Sequence, residues 1–173
     1  MEKILGKATL SEWGYFAAMT IFGACFLAIC SWIRIPFYPV PFTLQTFAVF
    51  VLAFTLRPGL AFSSVIAFLI MGTCGVPVFG AKINALWITG KCAGYLVAFP
   101  IAAYLVSKLL EKGYSVVVAS LVGQTLIFGL GYCWLSTFFG AKLAFTYGVM
   151  PFIFSDIAKI FAAYGVSKVL WRR

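Results

Sequence analysis

One acidic and one basic residue lie close together inside an apolar stretch near the end of the chain. In PFIFSDIAKI, residues 151–160, Asp156 is followed three positions later by Lys159. Positions i and i+3 share a face of a helix, so both side chains should point into one space. A charge at membrane depth is costly, and such residues usually face a cavity or each other. The pair could bind the polar groups of a small ligand, or it could be an ion pair that only neutralises itself.

A proline-rich stretch contains the next polar candidate. PFYPVPFTLQT, residues 36–46, has three prolines within six positions and ends close to Gln45. Each proline removes a backbone N–H and disfavours helix in the residue before it. The stretch therefore predicts an extended segment ahead of an apolar block. Gln45, at the start of that block, could cap the loop or face a ligand.

A third segment, residues 75–95, mixes glycines with aromatic side chains and one amide. Glycines let the backbone approach a ligand or a neighbouring helix closely. Aromatic rings with a few polar groups can line a pocket, but they also anchor ordinary loops at a membrane interface. The segment alone leaves both interpretations open. Its candidate site residues are Phe79, Asn84, Gly94 and Tyr95.

Small residues recur at a spacing of four in the first apolar block. Gly14 is followed by Ala18, and Ala24 by Ala28. Small residues four apart let two membrane helices pack closely. Such a face could pack inside the chain or could dock a helix of a partner, and the spacing is compatible with both.

These candidates lie among six apolar blocks. The chain is 64% hydrophobic and 10% charged, whereas soluble domains are about half apolar and about a quarter charged. The blocks cover approximately residues 14–33, 43–56, 60–76, 92–110, 116–135 and 152–170. A spanning helix needs about 20 apolar residues, so the pattern predicts an all-α integral membrane protein, a single bundle of six transmembrane helices in one domain, 1–173. The second block is short, and either begins among the prolines or is shielded by neighbouring helices.

The basic residues between the blocks predict the topology. With the N-terminus in the cytoplasm, the inner side would hold Lys3, Lys7, Arg57, Lys108, Lys112, Lys168, Arg172 and Arg173. The outer side would hold Arg34, Lys82, Lys91 and Lys142. Cytoplasmic loops carry the excess of lysine and arginine, so both termini are expected in the cytoplasm of a multi-pass cell-membrane protein. The longer outer segment, 77–91, favours binding at the outer face.

Several function classes lack the residues that they need. The basic residues are scattered, which argues against a nucleic-acid partner. The nearest approach to a phosphate-binding loop, GVPVFGAK, has Ala81 where the lysine belongs. The chain has no histidine, and its five cysteines show no C-x-x-C spacing, so no metal site is expected. With one carboxylate in the apolar blocks, acid–base or triad catalysis is poorly equipped, and we predict a non-enzyme without a cofactor.

Four motifs together resemble one known family. They are PVPFTLQ (39–45), GVPVFG (75–80), GKCAGYL (90–96) and PFIFSDIAK (151–159). In this order they are similar to the BioY family, the biotin-binding S components of energy-coupling factor transporters. The resemblance implies six membrane helices and capture of biotin at the outer side, under the loops after the first and third helices. It also implies partners, a membrane scaffold subunit and a pair of ABC-type ATPases, and so explains why no nucleotide motif is present.

The resemblance also assigns residues to roles. By their positions in the matching motifs, the resemblance assigns five residues to the substrate site: Gln45, Gly94, Tyr95, Asp156 and Lys159. Asn84 lies where the family supplies a polar pocket residue, and Ala24 with Ala28 resembles the surface by which the first helix docks on the scaffold. Two departures are present, Lys91-Cys92-Ala93 in the family's G-P-T-G-G-Y and Phe154-Ser155 in place of Pro-Gly.

The chemistry of biotin suits these groups. Biotin has a carboxylate, a ureido ring with two donors and one acceptor, and an apolar thioether body, so it needs a cation, acceptors and an aromatic wall. We expect Lys159 and Asp156 to act at its polar ends, without assigning which meets which. Two alternatives stay open: an S component for another small anionic vitamin, and a non-transporting membrane assembly or structural protein. An intramembrane enzyme is supported least.

Overall fold

Helices form nearly all of the regular structure in the computed structural model, which describes residues 2–80 and 84–170. The helices are α1 (Glu2–Trp32), α2 (Gln45–Thr55), α3 (Pro58–Thr73), α4 (Ala93–Glu111), α5 (Val116–Phe139), α6 (Ala141–Gly148) and α7 (Met150–Leu170). A short antiparallel hairpin pairs β1 (Arg34–Ile35) with β2 (Phe42–Thr43), and a 3₁₀ turn covers Trp87–Thr89. The proline-rich loop is the connection inside this hairpin.

The six apolar blocks correspond to α1 to α5 and α7, which confirms the predicted all-α bundle. Four segments are long and apolar enough to cross a membrane, namely Glu12–Trp32, Ala93–Glu111, Val116–Phe139 and Ala141–Leu170. The last of these joins α7 to the eight-residue α6, which the sequence did not predict. The side on which the termini lie stays a prediction. Of the residues used above, Ala81, Lys82, Arg172 and Arg173 lie outside the described residues.

Helix α2 has only 11 residues, yet it lies in the centre of the bundle. Between the polar Gln45 and Thr46 at its start and Thr55 at its end, the sequence QTFAVFVLAFT is apolar on every side, as expected of a buried helix. Ala48, Val49 and Phe50 are fully buried, and α2 packs against α1, α4 and α7. Neighbouring helices therefore shield the middle of α2 from lipid, which explains how such a short block can lie at membrane depth.

A tight turn connects α2 to α3. Leu56 and Arg57 are extended, and Pro58 opens α3 at a position where its missing N–H is harmless. Ser107 on α4 donates a hydrogen bond of 2.6 Å to the carbonyl of Leu56. The turn thus places α3 between α1 and α4, while α2 stays beside α7 and α4.

The small residues of α1 divide into two sets. Ala24 and Ala28 are buried in the core, on a part of the helix where a Cβ at Gly23 would overlap the side chain of Ser64 on α3. The structure therefore corrects the assignment of Ala24 and Ala28 to partner docking, because they pack against helices of the same chain. Gly14 and Ala18 are exposed instead, and a Cβ at Gly14 would meet no atom within 4 Å.

Candidate ligand-binding site

A cavity of about 650 Å³ lies between the proline-rich loop, the segment after α3, and helices α2, α4, α5 and α7. Its volume is within the range of about 300–1,000 Å³ that small-molecule sites occupy. Pro39, Val40 and Pro41 line it from the first loop. Six of the sequence-predicted site residues line the same cavity: Gln45, Phe79, Asn84, Tyr95, Asp156 and Lys159. The two loops expected to cover a site therefore border one space, and its polar candidates converge there.

Asp156 and Lys159 form the ion pair that their spacing predicts. The ammonium nitrogen of Lys159 is 2.8 Å from Oδ1 of Asp156, and the two side chains are 15% and 3% exposed. Thr46 on α2 donates to the same oxygen at 3.1 Å and accepts from Lys159 at 3.2 Å. Gln124 on α5 donates to Oδ2 at 2.8 Å. Groups from three helices therefore meet at the carboxylate and form a polar floor under the cavity.

Gln45 both shapes the loop and faces the cavity. Its backbone N–H donates to the hydroxyl oxygen of Thr43 at 3.4 Å, and that hydroxyl donates to Oε1 of Gln45 at 3.1 Å. Within the described part of the chain, the amide NH₂ of Gln45 donates to no protein group. The two roles left open by the sequence are therefore compatible, because the oxygen holds the loop and the nitrogen is available to a ligand.

Two further basic side chains line the cavity near the loops. The side chain of Arg34, in β1, passes over Gly80 and lines the cavity. A Cβ added to Gly80 would lie 3.0 Å from Cδ and Nη1 of Arg34. Gly80 also has a φ of +60°, which favours glycine. Across residues 2–80 and 84–170, the guanidinium of Arg34 is in no ion pair. Glycine at position 80 therefore lets the Arg34 side chain lie along the loop. The charge of Arg34 is not compensated by an acidic group among the described residues.

Lys91 connects the proline-rich loop to the rest of the site. Its ammonium donates to the hydroxyl of Tyr38 at 2.9 Å and lies 4.1 Å from the centre of that ring. The ring of Phe139, at the end of α5, is 5.3 Å from the same ammonium. Since Asp156 is already paired with Lys159, the cationic groups near the loops give the cavity a positive potential that favours an anionic ligand.

Aromatic rings form the walls. The rings of Phe79 and Trp87 are 5.9 Å apart, and the indole N–H of Trp87 donates to Thr73 at 2.9 Å. Phe152 also lines the cavity, and its ring stacks on that of Phe42 at 4.3 Å. The walls can therefore bury an apolar body between the charged groups near the loops and the polar floor.

Tyr95 and Gly94 occupy adjacent positions but act differently. The Tyr95 hydroxyl donates to the carbonyl of Gly148 at 2.8 Å, so its ring, rather than its hydroxyl, is available to a ligand. Gly94 is absent from the described cavity lining. A Cβ there would overlap Trp134 and crowd the carbonyl of Leu130 on α5. The structure therefore places Gly94 in the close packing of α4 on α5, and its contact with a ligand stays a prediction.

Cys92 replaces a residue of the family pattern and lines the cavity just before α4 begins. Burial raises the pKa of the Cys92 thiol to about 11, although the neighbouring Lys91 lowers it. The thiol therefore stays protonated at neutral pH.

Four contributors to the site were not identified from the sequence. Thr46 and Gln124 were missed, although Gln124 is the one amide in the fifth apolar block, and a polar side chain at membrane depth is itself a signal. Arg34 was used only as a topology marker, and Lys91 as a topology marker and as part of a departure from the family motif. Nothing in their local sequence distinguishes a cation beside a cavity from one in an ordinary loop.

The chain is similar to known transport proteins along most of its length. Residues 7–173 match the model of the BioY family. A probable biotin transporter BioY of Pyrococcus horikoshii is 37% identical over 156 residues, covering 90% of this chain and 91% of the relative. The biotin transporter BioY of Thermotoga maritima is 33% identical over 155 residues, covering 87% and 88%.

A solved structure shares the fold. The crystal structure of an S-component for biotin from an ECF-type ABC transporter superposes with a TM-score of 0.82, covering 94% of each chain at 24% identity. At this identity the similarity establishes the arrangement of the helices.

Proposed function

The chain belongs to the BioY family, and we propose that this multi-pass protein of the cell membrane captures biotin as the S component of an energy-coupling factor transporter. The observation that carries the proposal is the cavity, which has a hydrogen-bonded Asp156–Lys159 floor, aromatic walls and uncompensated positive charge near its loops. Biotin likewise has an apolar body between two polar ends, the ureido ring and the carboxylate. No cofactor is required for such binding.

The two ends of the ligand fit the two ends of the cavity differently. We infer that the ureido ring lies on the floor, where Asp156 can accept from a ring N–H and Lys159 can donate to the ring carbonyl. The carboxylate would then lie beside Arg34, whose guanidinium can hold it with two parallel hydrogen bonds. The reverse orientation would place a second carboxylate against Asp156, and burying two like charges together is unfavourable.

Titration of the purified protein in detergent tests the proposal. We expect biotin to bind with a dissociation constant below about 1 µM, which corresponds to about −8.2 kcal/mol, and to raise the unfolding temperature. Other small anionic vitamins should bind far more weakly. Equal affinity for one of them would instead support an S component with a different ligand. Absence of any ligand-induced thermal shift would support the structural-protein alternative.

The proposal includes partners, because the sequence contains no G-x-x-x-x-G-K-S/T motif for binding the phosphates of ATP. We propose that a membrane scaffold subunit and two ABC-type ATPases complete the transporter, and that the scaffold docks on the exposed Gly14–Ala18 face of α1. Small residues there would let a partner helix approach closely. This face replaces Ala24 and Ala28, which are buried within the bundle.

A bulky substitution on α1 should separate binding from transport. Ala18→Trp is expected to prevent co-purification with the scaffold and ATPase subunits and to abolish ATP-dependent uptake of radiolabelled biotin into vesicles. Biotin affinity should not change, because α1 contributes no described residue to the cavity lining. Ala162→Trp, on the exposed side of α7, is the matched control. Normal assembly of the Ala18 variant would show that docking uses another surface.

A further inference from the structure

We propose that Gln124 is a positioning residue of the binding site: its amide holds the Asp156 carboxylate so that one oxygen presents a single free acceptor position to a ring N–H of the ligand. The inference rests on the proposed function, since it assumes that the cavity binds a ligand with such a donor. Gln124 is itself absent from the described cavity lining, so its effect must pass through Asp156.

The hydrogen bonds of Asp156 leave one position open. A carboxylate oxygen can accept two hydrogen bonds. Lys159 and Thr46 both donate to Oδ1, at 2.8 and 3.1 Å, so that oxygen is fully used. Gln124 donates to Oδ2 at 2.8 Å, and no other described group donates to that oxygen. One acceptor position on Oδ2 therefore remains, and Asp156 lines the cavity.

The bond from Gln124 also fixes the rotation of the carboxylate. The terminal torsion of an aspartate is broad and has no strong preference of its own. Thr46 on α2 and Gln124 on α5 bind different oxygens from different helices. Without the Gln124 bond, the carboxylate would be held only through Oδ1 and could turn about that attachment. A ligand N–H would then meet a mobile acceptor instead of a fixed one.

The hydrogen bonds of Gln124 indicate that its amide serves as a donor to Asp156. Its Oε1 is buried and forms no hydrogen bond with the described protein groups. A buried acceptor without a partner is unfavourable, so an apolar side chain of the same length would suit this part of α5 better if packing alone mattered. The donor side of the amide, which meets Asp156, is the feature that an apolar residue could not supply.

Two substitutions test the inference. Gln124→Met keeps the length of the side chain and removes the donor, so biotin affinity is expected to fall by about tenfold or more. Gln124→Glu places a second carboxyl against Asp156, where sharing a proton relieves the repulsion between two like charges. When protonated, the new carboxyl can donate to Asp156 as the amide does. The affinity of the Gln124→Glu variant for biotin is therefore expected to decrease as the pH rises from 6 to 9, while the affinity of the wild type stays level.

The other titratable groups of the site are the same in every variant. The described residues that line the cavity include Arg34, Lys91, Cys92, Tyr95, Asp156 and Lys159, and α2 contributes the non-titrating Gln45 and Thr46. A difference between the pH profiles of the Glu variant and the wild type therefore reports on residue 124. Thr125→Val, one position along α5 and exposed, is the control, for which no change in affinity or pH profile is expected.

The outcomes separate this inference from the proposed function. If the wild type fails to bind biotin, the proposed function is wrong and the inference falls with it. If the wild type binds and Gln124→Met binds within about twofold of it, only the inference is overturned. Should the Met variant not fold, the Glu variant decides. If the Glu variant bound biotin as tightly as the wild type at every pH, that result would contradict a donor role for Gln124. A lower unfolding temperature with unchanged affinity would show a purely structural role.

Discussion

Lys159→Met is expected to abolish detectable biotin binding and to lower the free energy of unfolding by about 3–5 kcal/mol, because it leaves Asp156 buried without its cation. The Asp156 side chain is only 3% exposed, so solvent restores little of the attraction lost with the ammonium. Thr46 and Gln124 would still donate to the carboxylate, but neither supplies a charge. Isothermal titration and thermal unfolding in the same detergent measure the two effects.

A double variant separates the ligand-binding role from a structural one. Asp156→Asn combined with Lys159→Met removes both charges at similar volume, and such replacements of buried ion pairs are often neutral for stability. We expect the double variant to regain most of the lost stability and none of the biotin affinity. Recovery of both would show that the pair is only structural. Wild-type affinity of the single Lys159 variant would contradict the floor assignment.

Arg34→Gln is expected to weaken biotin binding by roughly 10- to 100-fold, since a hydrogen bond to a charged group contributes about 1.5–3 kcal/mol. The loss should depend on the charge of the ligand. Biotinamide, which lacks the carboxylate charge, should bind the wild type less tightly than biotin does, and should bind wild type and Arg34→Gln about equally. Titration of both proteins with both ligands measures the coupling between Arg34 and the carboxylate.

A charge change elsewhere controls for this effect. Lys142→Gln on α6 removes an exposed charge that is absent from the described cavity lining, and no change in either affinity is expected. Equal losses of biotin and biotinamide in Arg34→Gln would contradict the proposed orientation, since they would show that Arg34 holds the loop and not the ligand's carboxylate.

The bundle could be predicted from the sequence because hydropathy and helical spacing are local properties. Apolar blocks of the right length define membrane helices wherever their neighbours lie, and the three-residue spacing places Asp156 and Lys159 on one face of α7 before any packing is known. The prolines between β1 and β2 likewise predict an extended loop through their own backbone restrictions. Each of these conclusions follows from residues close together in the chain.

Contacts between distant segments could not be predicted in this way. Thr46 and Gln124 are 110 and 32 positions from Asp156, and only the packing of α2, α5 and α7 brings them to its two oxygens. The same limit explains the correction at Ala24 and Ala28, and why the packing contacts of Gly94 were not predicted. A small residue allows close approach, but the tertiary structure decides which helix approaches.

The sequence by itself thus determined a membrane bundle, a proline-rich loop and one ion pair on one helix. Only the tertiary structure decided that this loop borders the same cavity as the ion pair, and that Arg34 lies beside it across Gly80. The physical reason is that propensity, spacing and hydropathy act over a few residues, whereas a binding site consists of side chains that packing brings together from separate parts of the chain.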